Sequence, residues 1–152
     1  MHQSKFMEIL GRIPLFKNLN AAERRDIQKM ARNIQQVQTG DTFIRQGDES
    51  PFFYIVLAGS GDVLKGRRKV NAVKPGDFVG EVAFICKKLR SASVIATVEM
   101  TLLYFDIDDF NHLSCRIRES IKDEIIQGLV VRIDGLNQAN LQLEDDIKKQ
   151  KK

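Results

Sequence analysis

The sequence predicts a mainly β domain, an all-β barrel or jelly-roll, with helices before it and a long helix after it. Three observations lead to this fold class. Glycine turns recur every few residues from position 40 to 77, short runs of β-forming residues lie between them, and apolar residues return to helical spacing after position 107. Short strands at such spacing are typical of barrels and sandwiches. A chain of 152 residues provides one core of ordinary size.

The first segment of the chain is predicted to be helical. Apolar residues at helical spacing predict a helix over residues 3–11, which Pro14 ends. Asn20 and Glu23 have the spacing of a capping box, so a second helix should begin there and run through Ile27, Met30 and Ala31.

The β region follows from about Ile34. Its turn signals are Gly40-Asp41, Gly47-Asp48, Gly59, Gly61, Lys65-Gly66 and Pro75-Gly76-Asp77. The predicted strands between and after these signals include "FFYIVLAG", "KVNAV", "SVIATV" and "TLLYFDI".

The C-terminal part is again helical. Asp108 and Asp109 lie at a helix start, where carboxylates interact favourably with the helix dipole. Seven residues then alternate at spacings of three and four: Ile126, Leu129, Ile133, Leu136, Asn140, Leu143 and Ile147. In heptad terms they occupy positions a and d, and β-branched residues at a with leucine at d favour a parallel two-stranded coiled coil whose register the single Asn sets.

The alternative for this stripe is an amphipathic helix that packs on its own β domain. The narrow seam and the Asn favour a homodimer. The predicted domains are therefore residues 1–115, the β domain with its N-terminal helices, and residues 116–152, the C-terminal helix and coiled coil.

The charge distribution argues against a nucleic-acid-binding chain. Lys and Arg number 24 and Asp and Glu 20, but the terminal residues Lys148, Lys149, Lys151 and Lys152 account for the excess. A neutral body with a basic tail is not the basic face that nucleic-acid binding requires.

Two cysteines, Cys86 and Cys115, suit a reducing compartment rather than a disulfide framework. His112 and Cys115 are too few ligands for a metal site, and we expect no metal and no cofactor. The sequence has no apolar run of membrane-spanning length and no signal-peptide core, so a cytoplasmic protein without membrane contact is expected.

The stretch "DFVGEVAFICKKLRSASVIA" carries the candidate site. A short helix predicted from Glu81 to Ile85 would present the N–H groups of Val82 and Ala83 to an anion. Gly80 would allow close approach of the backbone, and Arg90 has a planar donor group suited to phosphate.

Two further residues complete the site, and one carboxylate needs explanation. Ser91 adds a hydroxyl and an N–H group, while the small Ala92 leaves room. Glu81 would repel a phosphate unless it accepts hydrogen bonds from hydroxyls of the same ligand, as carboxylates do from ribose. The pattern indicates a nucleotide whose phosphate is folded back onto its ribose.

The segment "FVGEVAFICKKLRSASV" resembles the phosphate-binding cassette of the cyclic-nucleotide-binding domains, the family of the catabolite activator protein and of the regulatory subunits of cyclic-AMP-dependent kinase. The resemblance covers roughly residues 10 to 115. It implies an eight-stranded β-roll of jelly-roll type, in which Glu81 holds the ribose 2′-hydroxyl and Gly80 permits the approach. It also implies that Arg90 binds the cyclic phosphate with Ser91 and the amides of Val82 and Ala83.

The cassette departs from the family pattern in one place. The loop before the arginine often holds a glycine and a proline, whereas this chain has Cys86-Lys87-Lys88-Leu89.

These observations predict a cyclic-nucleotide sensor that regulates signal transduction, dimerises through its C-terminal helix and is not an enzyme. Its expected ligand is cAMP, with cGMP as the second candidate. One alternative is a truncated DNA-binding transcription regulator of the catabolite activator type. The other is a dimerisation module with an empty, degenerate pocket, in which Arg90 and Glu81 pair with each other.

Overall fold

A computed structural model describes residues 3–13, 16–17, 19–80 and 89–150. The chain divides into two compact units, Met1–Arg118 and Glu119–Lys152. We describe each unit by itself.

The N-terminal helices begin as the sequence predicts. Helix α1 spans Gln3–Gly11 and helix α2 spans Ala21–Lys29. The capping box is confirmed: the N–H of Glu23 donates to Asn20 Oδ1 at 2.8 Å, and the N–H of Asn20 donates to Glu23 Oε1 at 3.2 Å. The second helix ends earlier than predicted, because a 3-10 turn over Met30–Asn33 replaces its last turn.

Eight strands in the described residues form two antiparallel sheets, which confirms the predicted β-roll. The strands are β1 Ile34–Val37, β2 Thr42–Ile44, β3 Phe53–Ala58, β4 Gly61–Lys65, β5 Arg68–Val73, β6 Phe78–Val79, β7 Ser93–Ala96 and β8 Met100–Phe105. The first sheet has the order β1-β8-β3-β6 and the second the order β2-β7-β4-β5. Strand β1 therefore pairs with β8, from the opposite end of the β region.

Alternation along β3 supplies two separate apolar clusters. Tyr54 and Val56 belong to a cluster that contains buried residues of both sheets. Phe53, the residue before Tyr54, packs instead against Phe105, with ring centroids 4.2 Å apart, and also lies near Phe110. Because successive side chains of a strand point to opposite faces, β3 is buried on both sides, and packing on both faces fixes its position.

The C-terminal helices start with a second capping box. Helix α3 spans Ile107–Asn111, which places Asp108 and Asp109 in its first turn as the sequence predicts, and its N-cap is Asp106. Asp109 N–H donates to Asp106 Oδ1 at 2.9 Å, and Asn33 Nδ2 donates to Asp109 Oδ2 at 3.0 Å. Helix α4 follows over Cys115–Gln150.

The start of α4 is joined to the start of α2 by an ion pair. Arg116 Nη1 lies 3.2 Å from Glu23 Oε1, the buried carboxylate of the first capping box. One carboxylate thus stabilises the N-terminus of α2 and holds the first turn of α4. No helix among the described residues combines the length and the apolar character that crossing a bilayer requires.

Candidate functional site

The described site residues lie at the ends of two strands. Gly80 follows β6 directly, and Arg90, Ser91 and Ala92 precede β7. Glu81, Val82 and Ala83, with the predicted short helix, fall in positions 81–88 and lie outside the described residues. The structure can therefore place the glycine and the arginine end of the cassette.

Arg90 is buried, with 4% of its surface exposed. Its Nη1 donates to the carbonyl oxygen of Gly80 at 2.7 Å, and its Nη2 donates to the carbonyl oxygen of Phe52. The structure thus brings together two of the predicted site residues, Gly80 and Arg90. The hydrogen bonds orient the guanidinium between β6 and the start of β3, which fixes where a positive charge is presented.

The backbone of Arg90 is held from the other side by the loop between β2 and β3. Its N–H donates to the carbonyl of Asp48 at 3.0 Å, and its carbonyl accepts from the N–H of Gly47 at 2.8 Å. The next residue of that loop towards β2, Gln46, donates its N–H to Ser93 Oγ at 2.9 Å. Loop 46–48 therefore fixes the arginine's main chain while β3 and β6 fix its side chain.

Gly80 has a positive φ of +82°, a conformation that residues with a side chain rarely adopt. A Cβ placed there would lie 3.0 Å from Arg90 Cζ and would overlap Nη1. The sequence argument assigned Gly80 to the approach of a phosphate. In the structure the group that approaches Gly80 is the guanidinium of Arg90, so the glycine is required for the position of the arginine.

The other two described cassette residues differ in their exposure. Ser91 is exposed, so its hydroxyl is accessible from solvent, while Ala92 is half-buried.

Two residues of aromatic pairs also interact with Arg90, which the sequence pattern did not indicate: the carbonyl of Phe52 accepts from Nη2, and the charge of Arg90 acts on the hydroxyl of Tyr54. Tyr54 packs edge-on against Phe43 with centroids 5.4 Å apart, and Phe52 packs in the same way against Tyr104. The run "FFYIVLAG" indicated only a strand, because nothing in a strand pattern shows which of its aromatic residues will lie beside a charge.

The electrostatics of Tyr54 reflect both its burial and the nearby cation. Burial raises the pKa of the Tyr54 hydroxyl above its usual value of 10.0, the positive charge of Arg90 acts to lower the pKa, and Tyr104 contributes a small upward effect. Arg90 is close enough to act on this hydroxyl inside the cluster, where water screens charge poorly. The site therefore offers a buried cation to an anionic ligand. Among the described residues no cluster of His, Cys, Asp or Glu could hold a metal ion.

Comparisons with known proteins identify the fold and the family. The family described as the cyclic nucleotide-binding domain matches residues 34–114, more than half of the chain. This chain belongs to that family. The cassette recognised in the sequence lies within the matched residues.

One curated relative and two solved structures show the extent of the similarity. The cAMP-dependent protein kinase regulatory subunit of Schizosaccharomyces pombe is 35% identical over 111 residues, which are 71% of this chain and 26% of that protein. A cyclic nucleotide-binding domain from Methylobacillus flagellatus has a TM-score of 0.68 at 20% identity, covering 88% of this chain and 79% of the other. The regulatory subunit of a cAMP-independent protein kinase A from Trypanosoma brucei has a TM-score of 0.64 at 25% identity, covering 80% and 45%.

This cyclic nucleotide-binding domain spans about a quarter of the length of its fission yeast relative. The structural similarity to the bacterial domain establishes the fold alone. Activity, ligand and partners of the whole protein are therefore matters for the proposals below.

Helix α4 carries the predicted seam on a single continuous helix. Ile126, Ile133, Leu136, Leu143 and Ile147 are all exposed, and Leu129 is half-buried. Three further apolar residues of α4, Val130, Val131 and Leu141, are also exposed but lie off the seam. The helix is thus confirmed as an element, and its partner stays a prediction.

Proposed function

We propose that this domain binds a cyclic nucleotide, cAMP in preference to cGMP, and that it is the regulatory, non-catalytic part of a signalling protein. The observation that carries the proposal is the buried guanidinium of Arg90, oriented by Gly80 and Phe52 at the end of the cassette. A buried cation is expensive to desolvate, and an anionic ligand offsets that cost. The preference for cAMP rests on the similarity to cAMP-dependent regulatory subunits.

The roles of the remaining residues follow from the family resemblance. Glu81 would accept a hydrogen bond from the ribose 2′-hydroxyl, and the amides of Val82 and Ala83 would bind phosphate oxygens. Exposed Ser91 would add its hydroxyl, and Ala92 would leave space for the ligand. The phosphate would compete with the carbonyl oxygens of Gly80 and Phe52 for the guanidinium of Arg90, so binding should rearrange hydrogen bonds at the ends of β6 and β3.

Calorimetry with cAMP, cGMP and a cyclic dinucleotide tests the assignment, using wild type, Arg90→Met and Arg45→Met. The first variant removes the buried charge and keeps much of the volume, while Arg45 is exposed and serves as the control. Loss of a buried charge pair should weaken cAMP binding by about 2–5 kcal/mol, tens- to thousands-fold. Equal affinities for wild type and Arg90→Met, with both proteins folded, would show that Arg90 does not bind the ligand.

One observation favours a second candidate function. The Arg90 guanidinium already bonds two backbone carbonyl groups, which is the arrangement expected if the arginine is purely structural. In that case the domain would be a dimerisation module with a degenerate pocket. Thermal unfolding with each nucleotide distinguishes the two, because only a ligand that binds the folded state raises the melting temperature.

We also propose that a second copy of this chain covers the seam of α4 in a parallel coiled coil. An exposed stripe of this width is typical of a seam between two helices, and Asn140 at position a can hydrogen-bond to its counterpart only when the two helices are aligned. The flanking positions contribute little charge pairing: Arg132 would face Asn137, Ala139 would face Glu144, and at the end of the seam Asp146 would face Lys151. Within the seam the register therefore depends mainly on Asn140.

Two leucines of equal exposure provide a matched test. Leu136 is 65% exposed and lies on the seam, whereas Leu141 is 61% exposed and lies off it. Leu136→Glu should convert a dimer into a monomer in sedimentation experiments, while Leu141→Glu should leave the dimer intact. A wild-type monomer at tens of micromolar, or equal effects of the two variants, would contradict the seam.

A further inference from the structure

The turn of the β4–β5 hairpin carries a concentration of positive charge that the nucleotide site does not use. Strands β4 and β5 are joined by Gly66 and Arg67, with Gly66 at a φ of +60°. We call Lys65, Gly66, Arg67 and Arg68 the hairpin tip. All four residues are exposed.

Two of these cations oppose each other directly. Lys65 and Arg68 are cross-strand partners in the β4–β5 ladder, and like charges at such positions destabilise a sheet. The hairpin neutralises one neighbouring cation, since Lys69 Nζ lies 3.2 Å from Asp62 Oδ1. Within the described parts of the chain, Lys65, Arg67 and Arg68 make no such ion pair. Proteins retain locally destabilising arrangements mainly at functional sites. The repulsion between Lys65 and Arg68 therefore indicates that this surface has a function.

The hairpin tip is also held in place. The N–H of Gly66 donates to Gln46 Oε1 at 2.9 Å, and Gln46 is itself bonded through its N–H to Ser93 Oγ. These bonds connect the turn to the loop after β2 and to the start of β7. A surface fixed in this way loses little conformational entropy on binding, which favours a specific partner.

We propose that the hairpin tip binds an acidic segment of a protein partner. Arginine forms bidentate hydrogen bonds with carboxylates, and two arginines and a lysine within one turn match a segment with two or three closely spaced carboxylates. The proposal concerns a surface outside the cassette and does not require that the domain bind a nucleotide.

Other occupants fit the charges less well. Nucleic-acid binding normally uses a basic face that contacts many phosphates, and the body of this chain has no excess of positive charge. Anionic membranes are recognised by larger basic clusters with apolar side chains beside them. A second copy of the same hairpin would bring like charges together. Charges also protect edge strands such as β5 from pairing, and Arg68 can serve that role, but Lys65 lies on β4 and Arg67 in the turn, outside the edge strand.

Fluorescence anisotropy with a labelled peptide of alternating glutamate and serine tests the proposal on the full chain without nucleotide. The variant is Lys65→Gln/Arg67→Gln/Arg68→Gln. The matched control is Arg25→Gln/Lys29→Gln/Arg32→Gln, which removes three exposed cations from the N-terminal helices and changes the net charge equally. The hairpin variant should weaken binding by about tenfold or more, and the control by less than about twofold.

The melting temperature provides a second, independent measurement. The hairpin variant should melt no lower than wild type, because the substitution removes the Lys65–Arg68 repulsion. Failure of wild type to bind the peptide, or equal weakening in the control, would overturn the proposal. Tighter, hairpin-dependent binding to phosphatidylserine–phosphatidylcholine vesicles or to single-stranded DNA would show that the partner class is wrong.

Discussion

Substitution of Gly80 by alanine should both destabilise the domain and abolish ligand binding. The positive φ of +82° alone costs roughly 1–2 kcal/mol for a residue with a side chain. The new Cβ would also overlap Nη1 of Arg90 and displace the guanidinium. The displaced group would lose its 2.7 Å hydrogen bond to Gly80 O, a loss of about 1.5–3 kcal/mol for a charged donor.

A matched glycine separates the two contributions. Gly76 has a φ of +93°, and a Cβ at that position would have no heavy atom within 4 Å. Gly76→Ala should therefore lower the free energy of unfolding only by the backbone cost of about 1–2 kcal/mol. Gly80→Ala should lower it by a further ~1.5–3 kcal/mol, measured from urea unfolding curves.

The double variant tests whether Arg90 causes the difference. In an Arg90→Ala background the guanidinium is absent, so Gly80→Ala should cost no more than Gly76→Ala does in the same background. If Gly80→Ala and Gly76→Ala destabilise wild type equally, the Gly80–Arg90 contact does not hold the arginine as we describe.

Three further predictions concern the ligand, the seam and the buried tyrosine. 2′-Deoxy-cAMP should bind wild type more weakly than cAMP does, and Glu81→Gln should narrow that gap because the charged acceptor is gone; a wild type that ignores the 2′-hydroxyl refutes this role. Asn140→Ile should raise the melting temperature and allow trimers or mixed species, seen by sedimentation, because no polar group then enforces alignment; an unchanged dimer without extra stability contradicts it. In a Tyr104→Phe background, spectrophotometric titration should show the pKa of Tyr54 above 10 and higher still after Arg90→Met, which removes the charge that lowers it; no change would mean that Arg90 does not act on Tyr54.

The sign of the tyrosine effect on stability follows from linkage. The folded-state pKa of Tyr54 is raised above the value near 10 of an unfolded chain. The contribution of the protonated Tyr54 to stability is therefore fully present below the unfolded-state pKa and is lost as the pH rises through the folded-state pKa. We expect the ionisation of Tyr54 to contribute to alkaline unfolding, whereas at neutral pH the hydroxyl is protonated in both states and the free energy of unfolding does not vary with pH through Tyr54.

The local signals of the sequence predicted elements well where a short-range interaction decides them. Asn20 and Glu23 form the predicted capping box, since the spacing of three residues by itself brings the two groups together. Asp108 and Asp109 lie in the first turn of α3 as predicted, but the N-cap was not identified, because Asp106, Asp108 and Asp109 are all suitable N-terminal carboxylates and only the backbone conformation selects Asp106.

The sequence was sufficient to identify residues of the site but not the contacts between them. The cassette pattern identified Gly80 and Arg90, but no sequence spacing shows that the arginine bonds to that glycine's own carbonyl and to Phe52. The opposition of Lys65 and Arg68 depends on the length of the turn between them: Lys65-Gly66 indicated a turn, but only the structure shows that it has two residues, Gly66 and Arg67, so that the residues flanking it face each other.

The pairing of β1 with β8 also constrains how the domain comes to be folded. Ile34 and Val37 can pair with Leu103 and Met100 only after every other strand of the roll has been synthesised. Such contacts between distant parts of a sequence slow folding. During synthesis on the ribosome, β1 therefore stays unpaired until β8 has emerged. In this interval the nascent chain is most exposed to mispairing with neighbouring chains.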